Sequence, residues 1–173
     1  MESHHHHHHP QDKHSKFIGL QTALIAILLT ITTILAHRAH TDTIMYANES
    51  SNTWSHYQSK RIRAYQVEMN SGLVKLLATN NPQAAAVLEG YHQQSDKYQE
   101  ELQDIKKEAE EKAKEQELAH HKASFFDLAE GIIEVAMILS SLYFLTQQLI
   151  FPNLGLILAL AGVVIAVWGI IIH

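Results

Sequence analysis

A chain of 173 residues with 13 basic and 18 acidic side chains and a formal charge of −5 has no basic footprint for nucleic acid. It contains no cysteine, which excludes disulfides, zinc ribbons and thiol catalysis. Met1-Glu2-Ser3 followed by His4–His9 reads as an affinity tag, so residues 1–16 are set aside as tag and tail.

Residues 17–36, Phe17 to Ala36, carry no charge, and about 20 apolar residues match the hydrocarbon core at helical rise. They read as a first transmembrane helix. A cleaved signal peptide is the competing reading, but the run is long and lacks an Ala-x-Ala site before His37.

Residues 37–125 are polar and helical in period, with a stop and turn at 79–83 in Thr79-Asn80-Asn81-Pro82. Asn tolerates a left-handed cap, and Pro ends one helix while suiting the start of the next. Two arms of similar length, at about 1.5 Å per residue, predict an antiparallel hairpin stalk of roughly 65 Å. The second arm offers a heptad at Leu88, Tyr91, Ser95, Tyr98, Leu102, Ile105, Ala109, Lys112, Gln116 and Ala119. The first offers Ile44, Ala47, Ser51, Trp54, Gln58, Ile62, Tyr65, Met69, Leu73 and Leu76. Such a thin, polar-spotted seam is marginal for a lone pair of helices, since ordering each residue costs about 1–2 kcal/mol. Stalks are therefore expected to pack on stalks. The charged run Glu100 to Glu117 reads as a solvated face.

From Val135 to Ile172 no charge occurs. Gln147-Gln148 and Phe151-Pro152-Asn153 divide the apolar stretch into a second span, 126–146, and a third, 154–172, joined by a short re-entry loop. The third carries small residues at steps of four and three: Gly155, Ala159, Gly162, Ala166 and Gly169. In lipid such a stripe lets helix backbones approach closely, so it is a packing seam, against the second span or another subunit. The expected fold is an all-α membrane protein, three transmembrane helices with a long antiparallel coiled-coil hairpin inserted between the first and second.

Asp127, Glu130 and Glu134 share one helix face where the second arm enters the membrane. Ionisable groups at such depth face a partner or water. Their expected partners are His37, Arg38 and His40, with Arg38 opposite Asp127 or Glu130. The pattern has two readings, an interfacial ion-pair latch or a proton or cation conduit lined by Glu134. Glu117-x-x-His120 and His37-x-x-His40 have metal-ligand spacing, but a bundle di-metal site takes two Glu-x-x-His copies and further carboxylates. No metal or cofactor is therefore expected. No Ser-His-Asp arrangement, phosphate loop, dinucleotide fingerprint or HExxH motif occurs, so no enzyme is expected.

The block Thr32-Thr33-Ile34-Leu35-Ala36-His37-Arg38-Ala39-His40-Thr41, the Asn52, Trp54, Tyr57, Gln58, Lys60, Ile62, Arg63 pattern, Phe126-Asp127-Leu128-Ala129-Glu130 and Ala161-Gly162-Val163-Val164 resemble a family of small bacterial membrane proteins, domain of unknown function 4337. The resemblance covers essentially everything after the tag. It implies a multi-pass protein of the bacterial inner membrane and no assigned activity. Within its central block, Trp54, Tyr57, Lys60, Arg61 and Arg63 form a stalk interaction block, a packing layer between stalks or a site for a protein partner. Arg63 is expected opposite Glu100 and Glu101.

The amino-terminal tail offers Lys13 and Lys16, and the stalk's membrane-proximal ends offer Arg38, Lys112, Lys114 and Lys122. By the positive-inside rule this small bias puts the stalk in the cytoplasm. The expected role is a homo-oligomeric scaffold or interaction module in a lipid bilayer, without catalysis. The alternative is an oligomeric ion channel or proton-coupled conduit using the membrane-embedded carboxylates.

Overall fold

A computed structural model describes residues 13–78 and 81–171 of the chain. The tag, Thr79 and Asn80 of the expected turn, and Ile172 at the end of the expected third span lie outside the described residues. Among those described there are three α-helices and no strand: α1 (Lys13–Leu77), α2 (Ala84–Thr146) and α3 (Ile150–Ile171). Each contains a segment long and apolar enough to cross a membrane.

Three hydroxyls within the apolar part of α1 are satisfied by the helix itself. Thr22 donates to the Ile18 carbonyl at 2.9 Å, Thr30 to Ala26 at 2.9 Å and Thr32 to Leu28 at 3.0 Å. Such back-bonding removes the penalty for a hydroxyl in apolar surroundings. Between α1 and α2, Asn81 acts as the cap. Its side-chain oxygen accepts from the Gln83 amide at 3.0 Å, and its carbonyl accepts from the Ala84 amide at 3.0 Å.

Between α2 and α3 the structure departs from the expected boundary. Gln147 takes φ 57°, a left-handed helix end, and α3 begins at Ile150 rather than 154. Phe151-Pro152-Asn153 thus belongs to the helix rather than the loop. Proline in a first turn removes an amide that has no helical partner there, so Pro152 does not delay the start.

The chain divides into two compact units, one of Met1–Thr41 with His120–His173 and one of Asp42–Ala119. In the first unit, α3 presses its small residues onto α2. Gly155, Ala159, Gly162, Ala166 and Gly169 are all buried. A Cβ built on Gly155 would lie 2.6 Å from the Ala136 carbonyl oxygen, and one on Gly162 would lie 2.5 Å from Ile133 Cγ1 and 3.2 Å from the Ala129 carbonyl. At Gly169 the neighbour would be Phe125 Cβ at 3.0 Å. Of the two packing partners open to this stripe, α2 of the same chain is the one it meets. α1 completes the packing through Ile25, which clusters with Ile133, Ala136 and Ala159, and through Ala36 and Ala39, which cluster with Ala123, Phe126, Ala129 and Ala166. Gln21 ties α1 to α3 by donating to the Pro152 carbonyl at 2.7 Å.

In the second unit, α2 turns inward the residues expected of it: Leu102, Ile105, Ala109 and Ala119 are buried, and Leu88, Tyr91, Ser95, Tyr98, Lys112 and Gln116 are half-buried. α1 uses a different phase from the one expected. Ser50, Ala64 and Val67 are buried and Tyr57, Lys60, Ser71 and Val74 half-buried; of the expected row Ala47 and Trp54 are half-buried, whereas Ile44, Ser51, Gln58, Ile62, Tyr65, Met69, Leu73 and Leu76 are exposed. The bulkier apolar row is not the one that faces α2 over residues 60–74. In the observed phase Lys60 reaches Glu101 at 2.5 Å and Glu49 reaches Lys112 at 3.1 Å, both across the two helices. Such partly exposed pairs add little stability, but the observed phase is the one in which they form.

Gly162→Leu is expected to destabilise the first unit by about 3 kcal/mol or more, because the added side chain has only helix backbone and Ile133 to displace. Ala161→Leu, on the exposed neighbouring position, should be nearly neutral. Thermal unfolding in detergent, followed by circular dichroism, separates the two.

Candidate functional site

The feature of the first unit that packing does not explain is a polar strip shared by α1 and α2. Thr30, Thr33, His37 and His40 recur on α1 at steps of three and four, as Asp127, Glu130 and Glu134 do on α2. Two contacts bring the rows together. Thr33 donates its hydroxyl to Glu130 Oε1 at 2.7 Å, and His40 Nε2 lies 2.9 and 3.0 Å from the two Asp127 carboxylate oxygens. One turn further along α2 lies Glu134, exposed and without a hydrogen bond or ion pair among the described residues.

The height of Glu134 follows from the glycine contacts. The closest approaches pair Gly155 with Ser140 and Gly162 with Ile133, seven residues along α3 for seven back along α2. Glu134 is therefore level with Ala161. The midpoint of Ile150–Ile171 falls between Leu160 and Ala161, so this carboxylate sits on the outer surface at mid-height of the most apolar helix.

His40 occupies the place expected of Arg38. Ala36 and Ala39 are the buried pair at this level, and Arg38 lies about 140° around α1 from Thr33, at about 100° per residue, while His40 falls on the face of Thr33. Arg38 and His37 are exposed. Thr33 was not singled out in the sequence, although its spacing from His37 and His40 carried the signal. Ser140 also escaped notice. It is buried beside Gly155, and its hydroxyl oxygen has no hydrogen-bond partner among the described residues.

In the second unit the aromatic and basic block does not form one site. Trp54 and Tyr57 meet edge to face at 5.6 Å. Lys60, not Arg63, reaches Glu101, with its ammonium 5.6 Å from the Tyr98 ring centre. Lys60 lies on the inward phase with Tyr57 and Ala64, whereas Arg63 points outward. Arg61 donates to the Tyr65 hydroxyl at 2.9 Å along its own helix. Tyr57 and Arg61 border a shallow groove of about 290 Å³ that also includes Glu68, Gln99 and Lys106, while Trp54 and Arg63 take no part in it. No group of three or more metal-ligating side chains occurs among the described residues.

Lys60 holds the Glu101 carboxyl below the usual carboxylate range, chiefly by direct hydrogen bonding. Lys112 is pushed above the ordinary lysine value by its hydrogen bonds to Glu115 and then to Glu49. A carboxylate with a lowered folded value contributes stability above its unfolded pKa, and that contribution is lost as pH falls through the folded value. Glu101→Gln is therefore expected to lower the denaturant midpoint of the helical signal at pH 7. The difference from the parent should shrink once pH drops below about 4, the unfolded glutamate range. Paired titrations of both proteins check this.

No curated protein and no solved structure matches the chain. The profile of one family does, over residues 14–172, and its description is a domain of unknown function. That match takes in all three helices except the first residue of α1. The chain therefore belongs to the DUF4337 family.

Proposed function

We propose that this chain is a homo-oligomeric membrane scaffold: three helices cross the bilayer, and the polar segment 37–125 forms an antiparallel helical hairpin outside it that serves as an interaction surface, without catalysis. The observation that carries the reading is the exposed carboxylate of Glu134 at mid-height of α3. A helix of 22 residues is about 33 Å long, one hydrocarbon thickness. With α3 across the bilayer, Glu134 lies near the midplane, where an acidic side chain facing acyl chains costs about 2.5–3.5 kcal/mol on insertion scales. Bringing together the polar strips of several copies removes that group from lipid. The family resemblance and the lysine bias favour a bacterial inner membrane with the hairpin in the cytoplasm.

The same strip favours a second reading, a proton or cation conduit. Carboxylates, hydroxyls and imidazoles continue along one side of α1 and α2, and such a side turned toward an oligomer axis would hold water.

Replacing Glu134 by leucine removes the polar drive. Glu134→Leu is expected to weaken self-association about three- to thirtyfold, the range set by roughly 0.6–2 kcal/mol for a polar contact between helices in lipid. Fluorescence energy transfer between labelled copies, diluted with detergent, measures it, and unchanged association would count against the scaffold. For the conduit, Glu134→Gln should reduce ion flux in liposomes while assembly persists. Absence of flux in the parent protein would eliminate that reading.

A further inference from the structure

The second unit divides its apolar side chains unusually. Over residues 60–74 the α1 residues facing α2 are of modest size, Lys60, Ala64, Val67, Ser71 and Val74, while the bulkier Ile62, Tyr65, Met69 and Leu73 lie outward, at 59%, 51%, 67% and 50% exposure. They recur at steps of three, four and four, and Leu76, 77% exposed, continues the row after three more. A row with that period matches the knobs and holes of another helix better than a flat protein surface.

We infer that this outward row on α1 packs against the same row of a second copy of the chain. The inference rests on the multi-copy assembly proposed above and names one surface through which copies meet. Three observations select that occupant. The exposed large apolar residues that α2 contributes to this unit are Val87 and, far along the helix, Leu118. Asp96, Glu100, Lys107, Glu108 and Glu111 are exposed on α2, so it offers no matching row. The α1 row is thus the extended apolar helical face available in the unit, and a self-complementary contact uses it on both sides. Area agrees: covering five such side chains on each of two copies removes roughly 1,000 Å² from water, the lower limit for a specific interface. That limit suits copies already held in one membrane. Left uncovered, the row would expose roughly 500 Å² of apolar surface on each copy, as much as the largest patch on an ordinary soluble monomer, which is often functional.

The absence of native cysteine makes disulfide trapping a clean test on the full-length protein in vesicles. Met69→Cys, at the centre of the row, should give a dominant disulfide dimer under mild copper-phenanthroline oxidation, and Lys107→Cys, on α2, should give at least tenfold less. Adding Leu73→Glu to Met69→Cys should reduce the dimer about tenfold, with circular dichroism reporting retained helix. No dimer at Met69→Cys in a protein that remains multimeric by size would overturn this surface and leave the assembly standing; lipid or a different protein would then cover the row. A protein that is monomeric by size would overturn both. Equal dimer at both positions would indicate random collision and also overturn the surface.

Discussion

The contact on which the first unit depends is the approach of α3 to the backbone of α2 at three glycines. Gly155, Gly162 and Gly169 each lie where a Cβ would come within 3.0 Å of the facing helix. Apolar helices gain nothing from one another by desolvation in lipid, so such contacts must come from close packing of small residues. The same contacts align the heights of α2 and α3. Because the glycines hold Ile133 opposite Gly162, Glu134 is held at mid-height of an apolar helix, away from either end.

From that alignment follows the division of the polar strip. Asp127 has His40, Glu130 has Thr33, and Glu134, the furthest along, stands exposed. Three carboxylates on one face of a helix therefore differ in what satisfies them, and the difference grows with distance from the polar end. The second unit repeats the theme in a different currency. There Lys60 with Glu101 and Lys112 with Glu49 cross the inner seam beside Ala64, Val67, Leu102 and Ile105, and the larger apolar residues of α1 from Ile62 onward face outward.

Much of this was legible in the sequence. The small-residue stripe on α3 could be read directly, because period alone identifies a packing face when every neighbour is apolar. The α2 heptad was legible for a related reason, since Leu102, Ile105 and Ala109 interrupt an otherwise charged run. The α1 phase was not. Its sequence carries two rows of helical period, and over residues 60–74 the row with more bulk is not the one that faces α2. The start of α3 was misread because Pro152 signals a loop from either side of a helix start. Arg38 was favoured over His40 on charge, whereas a difference of two residues moves a side chain about 200° around a helix at 3.6 residues per turn. Nothing in a single sequence could tell that Ser140 would be buried without a hydrogen-bond partner among the described residues.

The central claim is that the exposed carboxylate at mid-height of the apolar helices brings copies of the chain together. Native mass spectrometry of the full-length protein released from detergent tests it most directly. A defined multimer with one dominant subunit number is the result this account predicts. A monomer at all protein concentrations examined would contradict it.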